Sequence, residues 1–437
     1  MPDVVLVNPW IYDFAAYDLW AKPLGLLRLG ARLRQEGYAV ALLDALDPFH
    51  PGLPRRPQRR AYGTGHYFRQ PLPKPVQIAD VPRRFARYGL PTSLFLAELK
   101  RLGRPQVFLV TSLMTYWYPG VFEALRLIKQ VYPEVPTILG GIYATLCPEH
   151  AQEVMPADYV VRSGEEALSL VRELATPSGA QAPHPYPAFD LLRKLPYVVI
   201  STSYGCPFAC RYCASRLLHP RFQQREPREI FWEIFFWYRQ FRVKDFAFYD
   251  DALLVNFESH LAVVLEEVLR HALQVRFHVP NALHVRLLNQ RVARLLKQAG
   301  FVTIRLGFET VNPERHRDLD GKVSAEELRA ALALLREAGF SQKALGVYLL
   351  WGLPRQDFEE VVTSARFVAD CGGTPYLAEY SPIPGTSLYE EAKEASRYPL
   401  DEDPLFHNNS LFPCLREPDW EKIEEIKRYV RHLREEA

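Results

Sequence analysis

Ser203-Tyr204-Gly205-Cys206-Pro207-Phe208-Ala209-Cys210-Arg211-Tyr212-Cys213-Ala214-Ser215 is the stretch on which the reading of this chain turns. Its cysteines stand three residues and then two residues apart. That spacing lets one loop wrap a four-iron four-sulfur cluster and set a thiolate on each of three irons, leaving the fourth iron open to a chelating molecule. Short cysteine spacings also serve tetrahedral zinc, with His219 as a candidate fourth ligand. Structural zinc favours paired CxxC knuckles in small metal-dependent units, whereas this triad opens a large region with apolar segments of its own. The other three cysteines, Cys147, Cys371 and Cys414, stand alone, and six in so long a chain are too few for a disulfide scaffold.

Working outward from the motif, short β-branched runs alternate with amphipathic helical stretches. Strands are expected near Tyr197 to Thr202, Lys244 to Tyr249, Val275 to Val279, Val302 to Leu306, Ala344 to Leu350 and Tyr376 to Tyr380. Between them, Pro227 marks a helix first turn, Ser324 to Glu327 reads as a capping box, and Gly300, Gly339 and Gly372 stand where helices should stop. Six such repeats predict an open (β/α)6 barrel over residues 193–400, with the cysteine loop directly after its first strand.

A CxxxCxxC with an aromatic residue before its last cysteine, on the first loop of six βα units, resembles the radical S-adenosylmethionine superfamily. The resemblance covers about Tyr197 to Tyr380. It implies that Cys206, Cys210 and Cys213 ligate one 4Fe-4S cluster, that S-adenosylmethionine chelates the fourth iron, and that an electron from the cluster cleaves it to a 5′-deoxyadenosyl radical. It further implies that Tyr212 lies near the adenine. Ile304-Arg305-Leu306-Gly307-Phe308-Glu309-Thr310 is similar to the family's fourth-strand segment, in which the glutamate contacts S-adenosylmethionine, and Gly352-Leu353-Pro354 is similar to its stretch near the adenine. Asp250, in Phe248-Tyr249-Asp250-Asp251 at the end of the second strand, is a candidate to receive an ammonium or a ribose hydroxyl; a turn or helix-capping role is the alternative.

The first 175 residues repeat the alternation, with strands expected at Val4 to Val7, Ala39 to Leu43, Val107 to Thr111, Thr137 to Leu139 and Tyr159 to Arg162 and helices at Gly25 to Glu36 and Gly120 to Val131. That pattern predicts a doubly wound parallel sheet with a ligand crevice at its switch point. Asn8-Pro9, Lys22 to Leu26, Gly140 to Thr145 and Ser163 to Glu166 match, in order and spacing, the cobalamin-binding domain that precedes the barrel in one class of radical S-adenosylmethionine enzymes. The resemblance implies a cobalamin contact set of Pro9, Thr111, Ser112, Gly140, Gly141, Thr145, Gly164 and Glu165. The loop Trp10 to Lys22 holds no histidine, so a histidine lower ligand to cobalt is not expected from it.

Three further segments complete the layout. Residues 48–91 form a long Pro- and Arg-rich insertion that reads as a lid, an anion-binding patch or a solvated loop. Residues 176–192 read as a linker rich in helix breakers, and 401–437 as a helical appendage. Tyr116, Trp117, Tyr118, His278, Asn281 and His284 are candidates for facing the space between the domains, against the commoner fate of such residues as core.

A balance of 53 basic against 51 acidic residues, net +2, gives no general pull toward nucleic acid or an anionic membrane, and no apolar run is long enough to span one. A cytoplasmic enzyme is expected, with a small-molecule substrate and a low-potential electron donor such as flavodoxin or ferredoxin. The leading reading is a cobalamin-dependent methyltransferase acting on an unactivated carbon. The runner-up uses the radical for cyclisation, rearrangement or oxidation without methyl transfer. From another class comes a cobalamin- or metal-binding protein with no turnover, and a nucleic-acid modifying enzyme rests only on the basic insertion.

Overall fold

β1 (Val4–Asn8), β2 (Val40–Asp44), β3 (Val107–Val110), β4 (Thr137–Leu139) and β5 (Tyr159–Val160) form one parallel sheet in the order β5-β4-β3-β1-β2. The computed structural model describes residues 1–319, 321 and 323–436. β1 and β3 are buried along their whole length, which is why they read as unbroken apolar runs. Alternate side chains serve two cores. Val4 and Leu6 pack with Leu26 and Leu33 of the helix Leu24–Gln35, while Val5 and Val7 pack with Phe95, Val121 and Leu125. The strand order reverses between β1 and β3, so Asn8 and Thr111 flank the switch point where such sheets bind ligands.

The insertion is folded. Arg69–Pro71, Ala86–Tyr88 and Ile11–Asp13 form a three-stranded antiparallel sheet, and Gly65–His66 pairs with Tyr17–Asp18. Tyr67, Phe68, Phe85 and Tyr88 are buried, with Phe85 against Phe14 and the Tyr88 hydroxyl donating to the Phe14 carbonyl at 3.1 Å. Its partner strands lie in the loop after β1, between 47 and 77 residues away, so the segment read in isolation looks unpaired.

The chain divides into two compact units, Met1–Leu195 with Leu400–Leu411 and Pro196–Pro399 with Phe412–Ala437. Two expected boundaries differ from this division. Residues 176–192 do not hang free: Ser178 Oγ donates to Asp3, Ala188 N donates to the Leu27 carbonyl, and Asp190 takes both a hydrogen bond and an ion pair from Arg34. Residues 401–437 are not one appendage. Leu400–Leu411 belongs to the front unit, where Asn408 Nδ2 donates to buried Asp13 at 2.8 Å and Tyr118 OH donates to Asp403 at 3.2 Å. The remainder carries the helix Trp420–Glu435, whose Ile423, Ile426 and Val430 are buried in the second unit.

His407 anchors this returning segment. Its ring is buried, with Nδ1 at 3.1 Å from Thr115 Oγ1 and Nε2 at 3.0 Å from the Leu400 carbonyl. Burial pushes its pKa from the ordinary 6.5 down to about 4. Between those values the unfolded chain binds the proton and the folded chain does not, so stability present above pH 6.5 is lost as pH falls toward 4, by about 3 kcal/mol in all. Urea midpoints measured from pH 7 to pH 4.5 should therefore fall more steeply in the wild type than in His407→Gln. Parallel curves would remove His407 as the cause.

In the second unit, β6 (Val198–Ile200), β7 (Asp245–Phe248), β8 (Arg276–His278), β9 (Phe301–Glu309), β10 (Leu345–Trp351) and β11 (Thr374–Glu379) are parallel and adjacent in chain order. β6 and β11 are the two edges, which makes the barrel open. Helix stops and starts follow the sequence signals: Pro227 opens the helix Pro227–Phe241, and Ser324 and Glu327 form the capping box of Ala325–Glu337. Among the described residues, no helix is long and apolar enough to cross a membrane.

Candidate active site

The cysteine loop leaves the barrel directly after β6. Its base is clamped by a two-stranded antiparallel ladder, Ser203–Tyr204 against Gln223–Gln224. Gly205, just before the first cysteine, has φ +73°, and a Cβ there would lie 2.9 Å from both the His219 and Arg221 carbonyls. Only glycine fits that turn without displacing backbone. Farther along, Arg211 ties the loop down through ion pairs to Asp318 and Glu391 and a backbone bond to Leu319.

Asp250 holds the other side. It is 2% exposed and accepts from the backbone N–H and hydroxyl of both Thr202 and Ser203, at 2.6 to 3.0 Å. Burial pushes its carboxyl pKa up, while those donors pull it down. Four donors occupy this side chain, so the structure makes it the brace of the cysteine loop and does not place it as an S-adenosylmethionine contact. Its neighbour Asp251 faces the cavity instead. Both residues lie in the loop after β7, which ends at Phe248, and the sequence alone does not say which of the two turns inward.

Cys206, Cys210 and Cys213 line one cavity of about 340 Å³ with Phe208, Tyr212, Asp251, Asn281, His284, Glu309 and Tyr348. Glu309 ends β9 beyond a register shift at Gly307, and with φ +70° it sits in a backbone region costly for a side-chain-bearing residue. Its Oε1 accepts from the Tyr212 hydroxyl at 2.9 Å, so the aromatic before the last cysteine and the fourth-strand glutamate are joined. The Ser215 backbone N–H points at Cys213 Sγ at 3.5 Å, and the Ser215 hydroxyl donates to Asp251 at 2.5 Å. Burial also pushes the Asp251 carboxyl pKa upward.

Other candidates lie elsewhere. Gly352 is outside this lining: its N–H donates to Gln356 Oε1, and its missing Cβ makes room for the Phe412 ring at 2.9 Å. His219 is outside it too. His278 is buried between Asp245 at 3.0 Å and Thr303 at 3.1 Å, whereas Asn281 and His284 do reach the cavity. Tyr116 is core, and Trp117 and Tyr118 donate to Asp13 and Asp403.

The donor set fits the cofactors of this motif. Three thiols share one cavity, yet among the described residues no three His, Cys, Asp or Glu are placed to hold a single metal ion. Three thiolates, one to each of three irons, are the protein's share of such a cluster. Glu309, Asp251 and Asn281 add acceptors suited to an ammonium and to ribose hydroxyls.

In the front unit, Gly141 has φ +95°, and a Cβ there would lie 2.4 Å from the Ser112 carbonyl oxygen and 2.6 Å from its nitrogen. The glycine admits the neighbouring backbone, a reason internal to the fold. Ser112 donates its hydroxyl to the Gly140 carbonyl at 2.8 Å, and Thr145 donates to the Gly141 and Arg162 carbonyls. Gly164 sits against Leu29, and Glu165 pairs with Arg32 at the surface. These residues therefore shape the crest of the sheet, and those hydroxyls are already spent. What the switch point leaves unspent is Asn8 Oδ1, buried without a partner at the end of β1. An acceptor so placed suits the side-chain amides of a corrin.

Residues 200–368 match the Radical SAM superfamily, and the chain is a radical S-adenosylmethionine enzyme. Residues 88–172 match the B12 binding domain, which places it in the class where a cobalamin-binding domain precedes the barrel. Its cofactors are a 4Fe-4S cluster, S-adenosylmethionine and cobalamin. An uncharacterized methyltransferase of Pyrococcus horikoshii, PH0819, is 24% identical over 345 residues, 70% of this chain and 73% of that protein. The anaerobic magnesium-protoporphyrin IX monomethyl ester cyclase of Rubrivivax gelatinosus is 24% identical over 319 residues, and the match spans only 56% of its length. Among solved structures, the radical S-adenosylmethionine methyltransferase TsrM of Kitasatospora setae, with tryptophan substrate and an S-adenosylmethionine analogue bound, shares the fold. Its TM-score is 0.66 at 18% identity, covering 93% of this chain and 82% of TsrM. The cobalamin-dependent enzyme OxsB shares it at TM-score 0.57 and 13% identity, over 90% of this chain and 55% of OxsB.

Proposed function

We propose that this chain is a cobalamin-dependent radical methyltransferase that acts on an unactivated carbon of a small molecule and is reduced by a low-potential donor such as flavodoxin or ferredoxin. The observation that carries the reading is one cavity joining the three thiols to the Tyr212–Glu309 pair, in a chain that also has a B12-binding domain. When bound, the cluster with S-adenosylmethionine supplies a 5′-deoxyadenosyl radical for hydrogen abstraction, and cobalamin supplies the methyl group.

The protein's own part is placement. Cys206, Cys210 and Cys213 hold the cluster, Asp250 and Arg211 brace their loop, and Glu309, oriented by Tyr212, receives the charged or hydroxyl groups of S-adenosylmethionine beside Asp251 and Asn281. Phe208, Tyr348 and the His284 ring, which lies 4.1 Å from that of Phe208, narrow the cavity against water. Glu309→Ala should weaken S-adenosylmethionine binding about tenfold or more, the scale of losing one hydrogen bond to a charged group, with cluster iron unchanged. Equilibrium dialysis against labelled S-adenosylmethionine reads this. Equal binding by wild type and variant would take Glu309 out of the site.

A second reading, radical cyclisation or oxidation without methyl transfer, draws support from the cyclases among the relatives. One experiment decides between the two. Reduced, cobalamin-loaded protein is incubated with methyl-deuterated S-adenosylmethionine and small-molecule extracts. A product carrying the deuterated methyl is expected; a product formed without it would overturn methyl transfer and favour the second reading.

A further inference from the structure

The folded insertion and the loop after β1 line a cavity of about 590 Å³ that shares no lining residue with the cysteine cavity. Its volume is in the range of small-molecule sites. One part of its lining is basic, with Arg55, Arg56, Arg69 and His66, and no carboxylate lines it. Among the described residues Arg55, Arg56 and Arg69 make no ion pair. Of the nearby carboxylates, Asp18 is fully buried and already committed to Arg59 at 2.6 Å and Lys22 at 4.0 Å, and buried Asp13 accepts from Trp117 and Asn408. The remaining wall is aromatic. Tyr67, Phe68 and Tyr88 are buried, and Tyr17 stands edge-on to His66 with ring centroids 5.1 Å apart. Arg69 also meets the Tyr88 hydroxyl, but guanidinium groups without a carboxylate partner favour a carboxylate or phosphate, which they grip through paired N–H donors, and flat aromatic walls favour a planar ring.

We infer that this pocket binds a small molecule in which an anionic group, phosphate or carboxylate, is joined to a planar ring. The arginines take the anion at the mouth, and the tyrosines and phenylalanines take the ring within. Neither charge alone nor ring alone satisfies both halves of the lining. The inference does not depend on radical chemistry, because the site is built wholly from the insertion and the loop after β1.

The test uses the full chain with its cluster reconstituted and reads binding by isothermal titration, so loss of enzymatic activity does not bear on it. Phenyl phosphate and benzoate are the probes, with phenol and inorganic phosphate as the half-ligands. At least one of the two probes should bind about tenfold or more tighter than either half-ligand, the scale of one charge-assisted hydrogen bond. A combined Arg55→Glu, Arg56→Glu, Arg69→Glu variant should lose at least about tenfold in that affinity with its thermal midpoint unchanged. Should charge reversal lower the midpoint, Arg55→Gln with Arg56→Gln, both on exposed positions, provides the same reading. Undiminished binding in a folded variant would overturn the proposal, as would a wild type that binds no probe at millimolar concentration. Binding of an RNA dodecamer that falls steeply with salt, without binding of either probe, would overturn it in favour of a nucleic-acid surface.

Discussion

Iron and acid-labile sulfide fall to nearly zero in a reconstituted Cys206→Ala, Cys210→Ala, Cys213→Ala variant, and the 5′-deoxyadenosine it forms falls with them. The three thiols line one cavity, and their loop is shaped around them by Gly205, by the ladder at its base and by the Asp250 brace. No second cysteine cluster is available to compensate, since Cys147 and Cys414 are buried singly, with thiol pKa values pushed up to about 12 by burial. Full retention of iron and sulfide in this variant would end the cluster assignment.

The second large effect is expected at Gly141. From the sequence, a valine there should repel a bound corrinoid and spare the fold. The structure reverses the order. A branched side chain would meet the Ser112 backbone at 2.4 and 2.6 Å, on a residue held at φ +95°. Strain of that kind together with the clash amounts to roughly 3–5 kcal/mol, so Gly141→Val should destabilise the front unit and lose corrinoid as a consequence. Gly140→Ala is the control, because its Cβ would meet the side-chain methyl of Val161 at 3.2 Å and the Val161 carbonyl oxygen only at 3.8 Å. Denaturant unfolding followed alongside corrinoid retention separates the two accounts. If Gly141→Val kept wild-type stability and lost only corrinoid, the glycine would belong to the ligand after all.

Local pattern made most of the fold legible. The unbroken Val4–Asn8 and Val107–Val110 runs announced doubly buried strands, and the glycine, proline and capping signals marked the barrel helices. The cysteine triad and the Gly-x-Glu segment led to the cavity because each is a contiguous motif on one strand end. What stayed hidden depends on partners distant in sequence. The insertion needs strands from the loop after β1, and residues 400–411 need Asp13 and Thr115, nearly three hundred residues or more away. Asp250 and Asp251 are neighbours in the loop after β7, and only the partners each meets, Thr202 and Ser203 for one and Ser215 for the other, separate brace from cavity residue. The hydroxyls of Ser112 and Thr145 had the chemistry of ligand contacts, yet each satisfies a neighbouring carbonyl.

The central claim is that this chain cleaves S-adenosylmethionine reductively at the Cys206, Cys210, Cys213 cavity. Anaerobic protein, reconstituted with iron and sulfide and reduced with dithionite, should convert S-adenosylmethionine to 5′-deoxyadenosine and methionine, as read by chromatography and mass. A fully reconstituted and reduced protein that binds S-adenosylmethionine and releases no 5′-deoxyadenosine, with or without substrate extracts, would contradict it.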